Sequence, residues 1–244
     1  MEPVSTIGTI DANGRMEMFY GTVISNDSGD YILTATKQTD TKGTTGKYIA
    51  FDLFFKVDSA TDIYLTNGSG VNSEDVTDKG IKNAARFGFV VLGNTTSGDS
   101  VANIQALNAG ASANKYIWEP NYDVHTAAAV AHARDTYGVT PTQTGASRLS
   151  YQGVKANIAD TDEVEVNTTS PTQYKTDYPD FFDDVTIDYT TVEGYTGNTQ
   201  IFGLQAGVTK VRICMWIEGQ DVDCENNASG SEISFDLKIT TENT

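Results

Sequence analysis

Apolar and polar residues alternate along several stretches of this chain with the period of two that marks β-strands. Across residues 47–57, Ile49, Phe51, Leu53, Phe55 and Val57 share one face, opposite Tyr48, Ala50, Asp52, Phe54 and Lys56. The second face carries two aromatic rings of its own, so a cover on both sides is expected there. Residues 62–66 (DIYLT) and 86–92 (RFGFVVL) read as further strands, the latter with Phe87, Phe89 and Val91 inward. Near the end, residues 208–218 place Val211, Ile213, Met215 and Ile217 on one side, and residues 231–241 alternate Ile233, Phe235, Leu237 and Ile239 against polar neighbours. A Gly/Asp/Asn-rich loop joins these two segments, which predicts that they pair as antiparallel neighbours.

Helical periodicity is scarce. Residues 124–137 (VHTAAAVAHARDTY) are alanine-rich, begin after Asp123 as a candidate N-cap, and stop at Gly138. A further short turn of helix is predicted around residues 77–84. Residues 93–179 mix loop residues with short strands at 149–156 and 163–166, and read as a long insertion between strands. Many short strands with polar turns and one short helical insertion predict an all-β chain, a β-sandwich of jelly-roll type. Residues 16–244 form its single domain. Residues 1–15 are expected to be an N-terminal arm that adds a strand to an adjacent copy, or else a frayed terminus.

Composition narrows the partners. In 244 residues, 16 Lys+Arg face 33 Asp+Glu, a formal net charge of −17. The few cations are scattered singly, which excludes a general nucleic-acid binder that must displace counterions from phosphates. No stretch approaches the roughly 20 apolar residues of a membrane-spanning helix.

Candidate chemistry is sparse. The two histidines, His125 and His132, are seven residues apart, about 10 Å along a helix and too far to ligate one ion. Asp221, Asp223 and Glu225 alternate in a loop after a strong strand, a pattern of hard oxygen ligands that suits Ca²⁺, while a solvated acidic loop is the simpler reading in so acidic a chain. Asp160, Asp162 and Glu163 form a similar run, and residues 11–14 (DANG) match only the first third of a calcium-binding loop. No nucleophile elbow and no phosphate-cradling glycine loop is present. Trp118 and Tyr122 are candidates for a glycan-stacking platform, against the alternative of a loop anchored by a buried Trp118. Tyr174, Tyr178, Phe181 and Phe182 read as a loop pinned to the sheet or to a neighbouring subunit. Cys214 and Cys224 are close enough in sequence for a disulfide across a turn, and two reduced thiols is the simpler reading.

The C-terminal segment is more specific. Residues 211–224 (VRICMWIEGQDVDC), followed by GSEISF at 230–235, resemble the closing W-[IL]-E-G-x-D-x-[DE]-C block of jelly-roll surface proteins of Gram-positive bacteria, including relatives of the TasA/camelysin biofilm-fibre type. Residues 48–55 and 84–90 are similar to core strands of that group. About a third of the chain is covered, and no block is catalytic, so the resemblance implies a fold and a structural role. That group carries an export leader, whereas residues 1–5 (MEPVS) lack the cationic start and apolar core of one. The expectation is therefore a non-enzymatic virion component assembled in the host cytoplasm: a phage capsid decoration, head-fibre or tail-associated protein that associates with copies of itself and other structural proteins. A secreted cell-surface filament subunit is the alternative, and a carbohydrate-binding module the third. No cofactor is implied beyond the candidate Ca²⁺.

Overall fold

A computed structural model describes residues 1–39, 46–73, 79–145, 149–166, 169–225 and 229–241. The chain is 41% strand and 12% helix, placing it in the all-β class that the alternation predicts. The strands are β1 (Met18–Ser25), β2 (Tyr31–Gln38), β3 (Ile49–Val57), β4 (Thr61–Leu65), β5 (Gly70–Ser73), β6 (Ala85–Thr95) and β7 (Asn114–Glu119) in the first half. There follow β8 (Gln152–Val154), β9 (Val164–Glu165), β10 (Phe182–Asp184), β11 (Tyr189–Thr190), β12 (Thr199–Leu204), β13 (Gly207–Ile217), β14 (Ile233–Asp236) and β15 (Ile239–Thr240). Short helices interrupt them: α1 (Val101–Ala106), α2 (Ala127–Tyr137) and α3 (Tyr174–Asp177). Among the described residues no helix is long and apolar enough to cross a membrane.

A five-stranded sheet, in the order β11-β7-β6-β13-β3, forms the centre. Its two long inner strands are buried on both faces, which is why their sequences read as nearly continuous apolar runs. One face presents Phe87, Phe89, Val211, Ile213, Met215 and Ile217 to the strands of a second layer, which contribute Ile63, Leu65, Phe202 and Leu204. The other presents Val90, Leu92, Cys214 and Trp216 to Val4, Ile10, Met16 and Met18. A bulge sets this arrangement: Lys210 lies opposite Gly93 and Val211 opposite Val91, so Leu92 is the extra residue and Gly93 takes φ +142°. A third core lies under the β1–β2 hairpin, where Phe19, Leu33 and Ala35 meet Val154, Val164, Tyr174 and Phe182.

Four expectations change. The described strands form sheets of five, three, three, two and two, so the paired four-stranded sheets of a jelly roll are not reproduced in strand order. Residues 231–241 do not pair with β13. They split into β14, on β5, and β15, on β4, because both edges of β13 are already occupied by β3 and β6. Residues 93–179 are not merely an insertion, since β7 lies within the central sheet beside β6. The N-terminal segment is folded onto its own domain: Val4 N–H donates to Ile217 O, Ser5 and Phe19 exchange backbone bonds, and Val4 and Ile10 are buried. Its apolar side chains fill the space over Trp216, which holds it in place.

The predicted helix is α2, shortened at its start. Thr126, not Asp123, is the N-cap, accepting from Ala129 N–H, and Gly138 closes the helix in the left-handed conformation. Of the turn predicted at 77–84, residues 77 and 78 lie outside the described residues, and residues 81–84 form a turn.

Candidate functional site

Strand β13 ends at Ile217 and the chain turns into residues 218–225, the acidic loop. Its three alternating carboxylates do not converge. Asp221 binds Arg86, Asp223 Oδ2 lies 2.7 Å from His125 Nδ1, and Glu225 Oε1 lies 2.8 Å from His132 Nδ1. Both histidines of the chain are thus spent on this loop. Among the described residues no group of three or more His, Cys, Asp or Glu side chains is placed to hold a metal ion. The Asp160–Glu163 run is instead a single helical turn in which Asp162 accepts from Ala159 N–H, and Asp11 caps its own turn by accepting from Asn13 and Arg15 N–H.

The loop is locked from within. Asp221 Oδ1 accepts from Asp223 N–H at 2.8 Å, and Asp223 Oδ1 accepts from Thr126 N–H at 2.9 Å, tying the loop to the start of α2. Arg86 is fully buried below it. The guanidinium donates to Glu119 Oε1 at 2.9 Å and to the carbonyls of Asn83 and Ala85, and lies 5.6 Å from the Tyr151 ring centre. Burial works against that cation, but the surrounding carboxylates hold it firmly protonated. The buried Tyr151 hydroxyl, which has no hydrogen-bond partner among the described residues, is pushed well above the usual tyrosine range by desolvation and by Glu218. Glu218 is itself buried. Desolvation raises its carboxyl to about 7, against donations from Ser5, Trp216 Nε1 and Gln220 N–H.

Above this network opens a cleft of about 570 Å³, walled by residues 3–5, by Gly21, Val23, Tyr31 and Leu33 of the hairpin, by His132 and Tyr137 of α2, by Tyr174, and by residues 219–222, 224 and 225. His132 stacks on Tyr137 with centroids 5.4 Å apart, and its Nε2 has no partner among the described residues. Cys224 also lines the cleft, but burial and the acids around it push its thiol to about 12, which keeps it protonated and weakly nucleophilic.

The other anticipated sites resolve differently. Trp118 is fully buried, stacked on Phe87 at 4.7 Å and donating to Thr191 Oγ1 at 3.0 Å, so it offers no face to a glycan. Tyr122 is half-buried, its N–H bonded to Thr191 O, and with Trp118 it forms no platform. Cys214 and Cys224 are not bridged: one packs beside Trp216, the other against the cluster on the opposite face of the sheet. The aromatic loop is pinned as expected, with Tyr174 stacked on Phe182 at 4.6 Å in the core beneath the hairpin.

Sequence reasoning missed Arg86, Glu119, Glu218 and Tyr151. The available signal was the charge at the end of each apolar strand, Arg86 opening one and Glu218 closing another, since charges in such positions need partners. No family model, no curated protein and no solved structure matches this chain.

Proposed function

We propose that this chain is a non-enzymatic structural subunit that acts by associating with other copies of itself and with neighbouring structural proteins, in a virion as the first setting. The observation that carries the reading is the outer edge of β3. This strand ends the central sheet, pairs only with β13 among the described strands, and exposes Ile49, Phe51 and Phe54 at 43%, 39% and 45%. A long apolar edge of that kind is normally blunted by charge or covered, and left open it is a template for another chain. Asp221, Asp223 and Glu225 support the same reading, since each is bonded to Arg86, His125 or His132 and so fastens the acidic loop to another element.

A secreted filament subunit is the second reading. The outer edges of β3 and β1 are dissimilar, and dissimilar surfaces join copies head to tail, the geometry that generates fibres and rings. Electron microscopy and light scattering of the purified protein test both. The expected result is particles or fibres for the natural chain and monomers for the double variant Phe51→Asp, Phe54→Asp with unchanged circular dichroism. A natural chain that is monomeric at all concentrations overturns the association reading.

A further inference from the structure

We propose that the cleft beside β1 is a docking site for an extended segment of a partner polypeptide carrying a lysine or arginine. The inference rests on the association reading above and adds the class of partner.

The backbone supplies the first argument. Ser5 N–H donates to Phe19 O at 2.8 Å and Phe19 N–H to Ser5 O at 2.9 Å, so Phe19 turns its polar backbone groups away from β2. In an antiparallel pair the outward positions recur at every second residue, which makes Gly21 and Val23 the next outward pair of donors and acceptors. Continuing the ladder would set Pro3 against Gly21, and proline has no N–H to give. The chain leaves instead, with Val4 N–H on Ile217 O and Gly219 N–H on Val4 O. A strand addition therefore begins in this molecule and stops after one residue, leaving Gly21 and Val23 open on that edge among the described residues.

Both residues line the 570 Å³ cleft. A segment of about five residues spans roughly 17 Å when extended, continues the ladder through its backbone, and places alternate side chains in the cleft. The walls offer Tyr31, Tyr137 and Tyr174 to apolar groups, and Val23 and Tyr31 are 52% and 57% exposed. Of the two carboxylates on the lining, Asp221 is held by Arg86, whereas Glu225 bonds His132 through Oε1 and is 22% exposed, and His132 is the one basic side chain among the described lining residues. On a chain of net charge −17, the partly exposed Glu225 carboxylate selects a basic side chain and disfavours segments of a second copy.

Panning a random octapeptide display library on the natural protein and on Val23→Pro tests the site. Because the Val23 N–H points outward, proline there removes the docking donor and leaves the β1–β2 ladder intact, which circular dichroism and the thermal midpoint verify. The expected result is enrichment of sequences with one Lys or Arg between alternating apolar residues. Synthetic peptides from that pool should bind Val23→Pro at least tenfold more weakly, and Glu225→Gln severalfold more weakly. No enrichment, enrichment that Val23→Pro retains, or an acidic or neutral consensus overturns the docking site. Peptide binding with no assembly by the natural chain overturns the association reading, so the two failures are distinguishable.

Discussion

Asp223 Oδ2 and His125 Nδ1 are 2.7 Å apart although 98 residues separate them, and the pair is buried. The same carboxylate receives the Thr126 N–H at the start of α2, so one side chain joins the acidic loop to the helix beside it. Asp223→Ala leaves a buried imidazole and a helix N-terminal N–H without their acceptor. The expected loss is about 3 kcal/mol of stability, read from urea unfolding, and Asp223→Asn should retain part of it. A change below 0.5 kcal/mol would show that the loop is not anchored there.

Glu218 makes stability depend on pH. Its carboxyl is raised from 4.5 to about 7 in the folded protein, so the folded state holds the proton more tightly than the unfolded chain. The stabilisation is complete below pH 4.5 and is lost as pH rises through about 7. Glu218→Gln keeps a neutral group at all pH values, so its stability relative to the natural protein should rise by roughly 3 kcal/mol between pH 4.5 and 8. Parallel pH profiles for the two proteins would refute this.

Arg86 joins Glu119 and Asp221 beneath the cleft. Arg86→Met leaves two carboxylates without their cation, an expected cost of about 3–5 kcal/mol. Replacing all three by apolar residues of similar volume should recover much of it, because no uncompensated charge remains. Denaturant unfolding of the single and triple variants reads the difference.

The N-terminal segment belongs to the core. Gly153 lies so close to it that an added Cβ would sit 2.3 Å from Thr6 O, and Val154 N–H donates to Ser5 Oγ. Deleting residues 1–10 should therefore lower the thermal midpoint and expose Trp216 to quenchers. Gly153→Ala should do the same to a smaller degree. A deletion variant with the natural midpoint would return the segment to the status of an arm.

Cys224, with its thiol raised to about 12, should react with a disulfide reagent at pH 8 roughly a hundredfold more slowly in the folded protein than in denaturant. Equal rates would mean that the acids of the loop do not govern it.

The strands most readily legible in the sequence were those whose pattern is local. Residues 62–66 and 208–218 coincide with β4 and β13 within one residue at each end, and Gly138 ends α2 as read. The alternation of Val211, Ile213, Met215 and Ile217 predicted a face that does enter one cluster. In β3 the same alternation was only half informative, because Ile49 and Phe51 share the inward face of Leu53 and Phe55 yet extend past the layer that covers it. Hydrophobic period reports which residues share a face, not how far the opposing layer reaches.

By itself the sequence determined the all-β class, the positions of the main strands and the acidity of the surface, since these depend on neighbours in the chain. Only the tertiary structure decided what the acidic loop does. Asp221, Asp223 and Glu225 look like ligands for one ion until Arg86, His125 and His132 arrive from elsewhere and take one carboxylate each. The physical reason is that a carboxylate's role follows from the nearest positive or donating group in space, and burial then makes that pairing obligatory. Edge strands obey the same logic. Whether β1 and β3 are open depends on which segments fail to reach them, and a proline at position 3 becomes meaningful only once it stands across from Gly21.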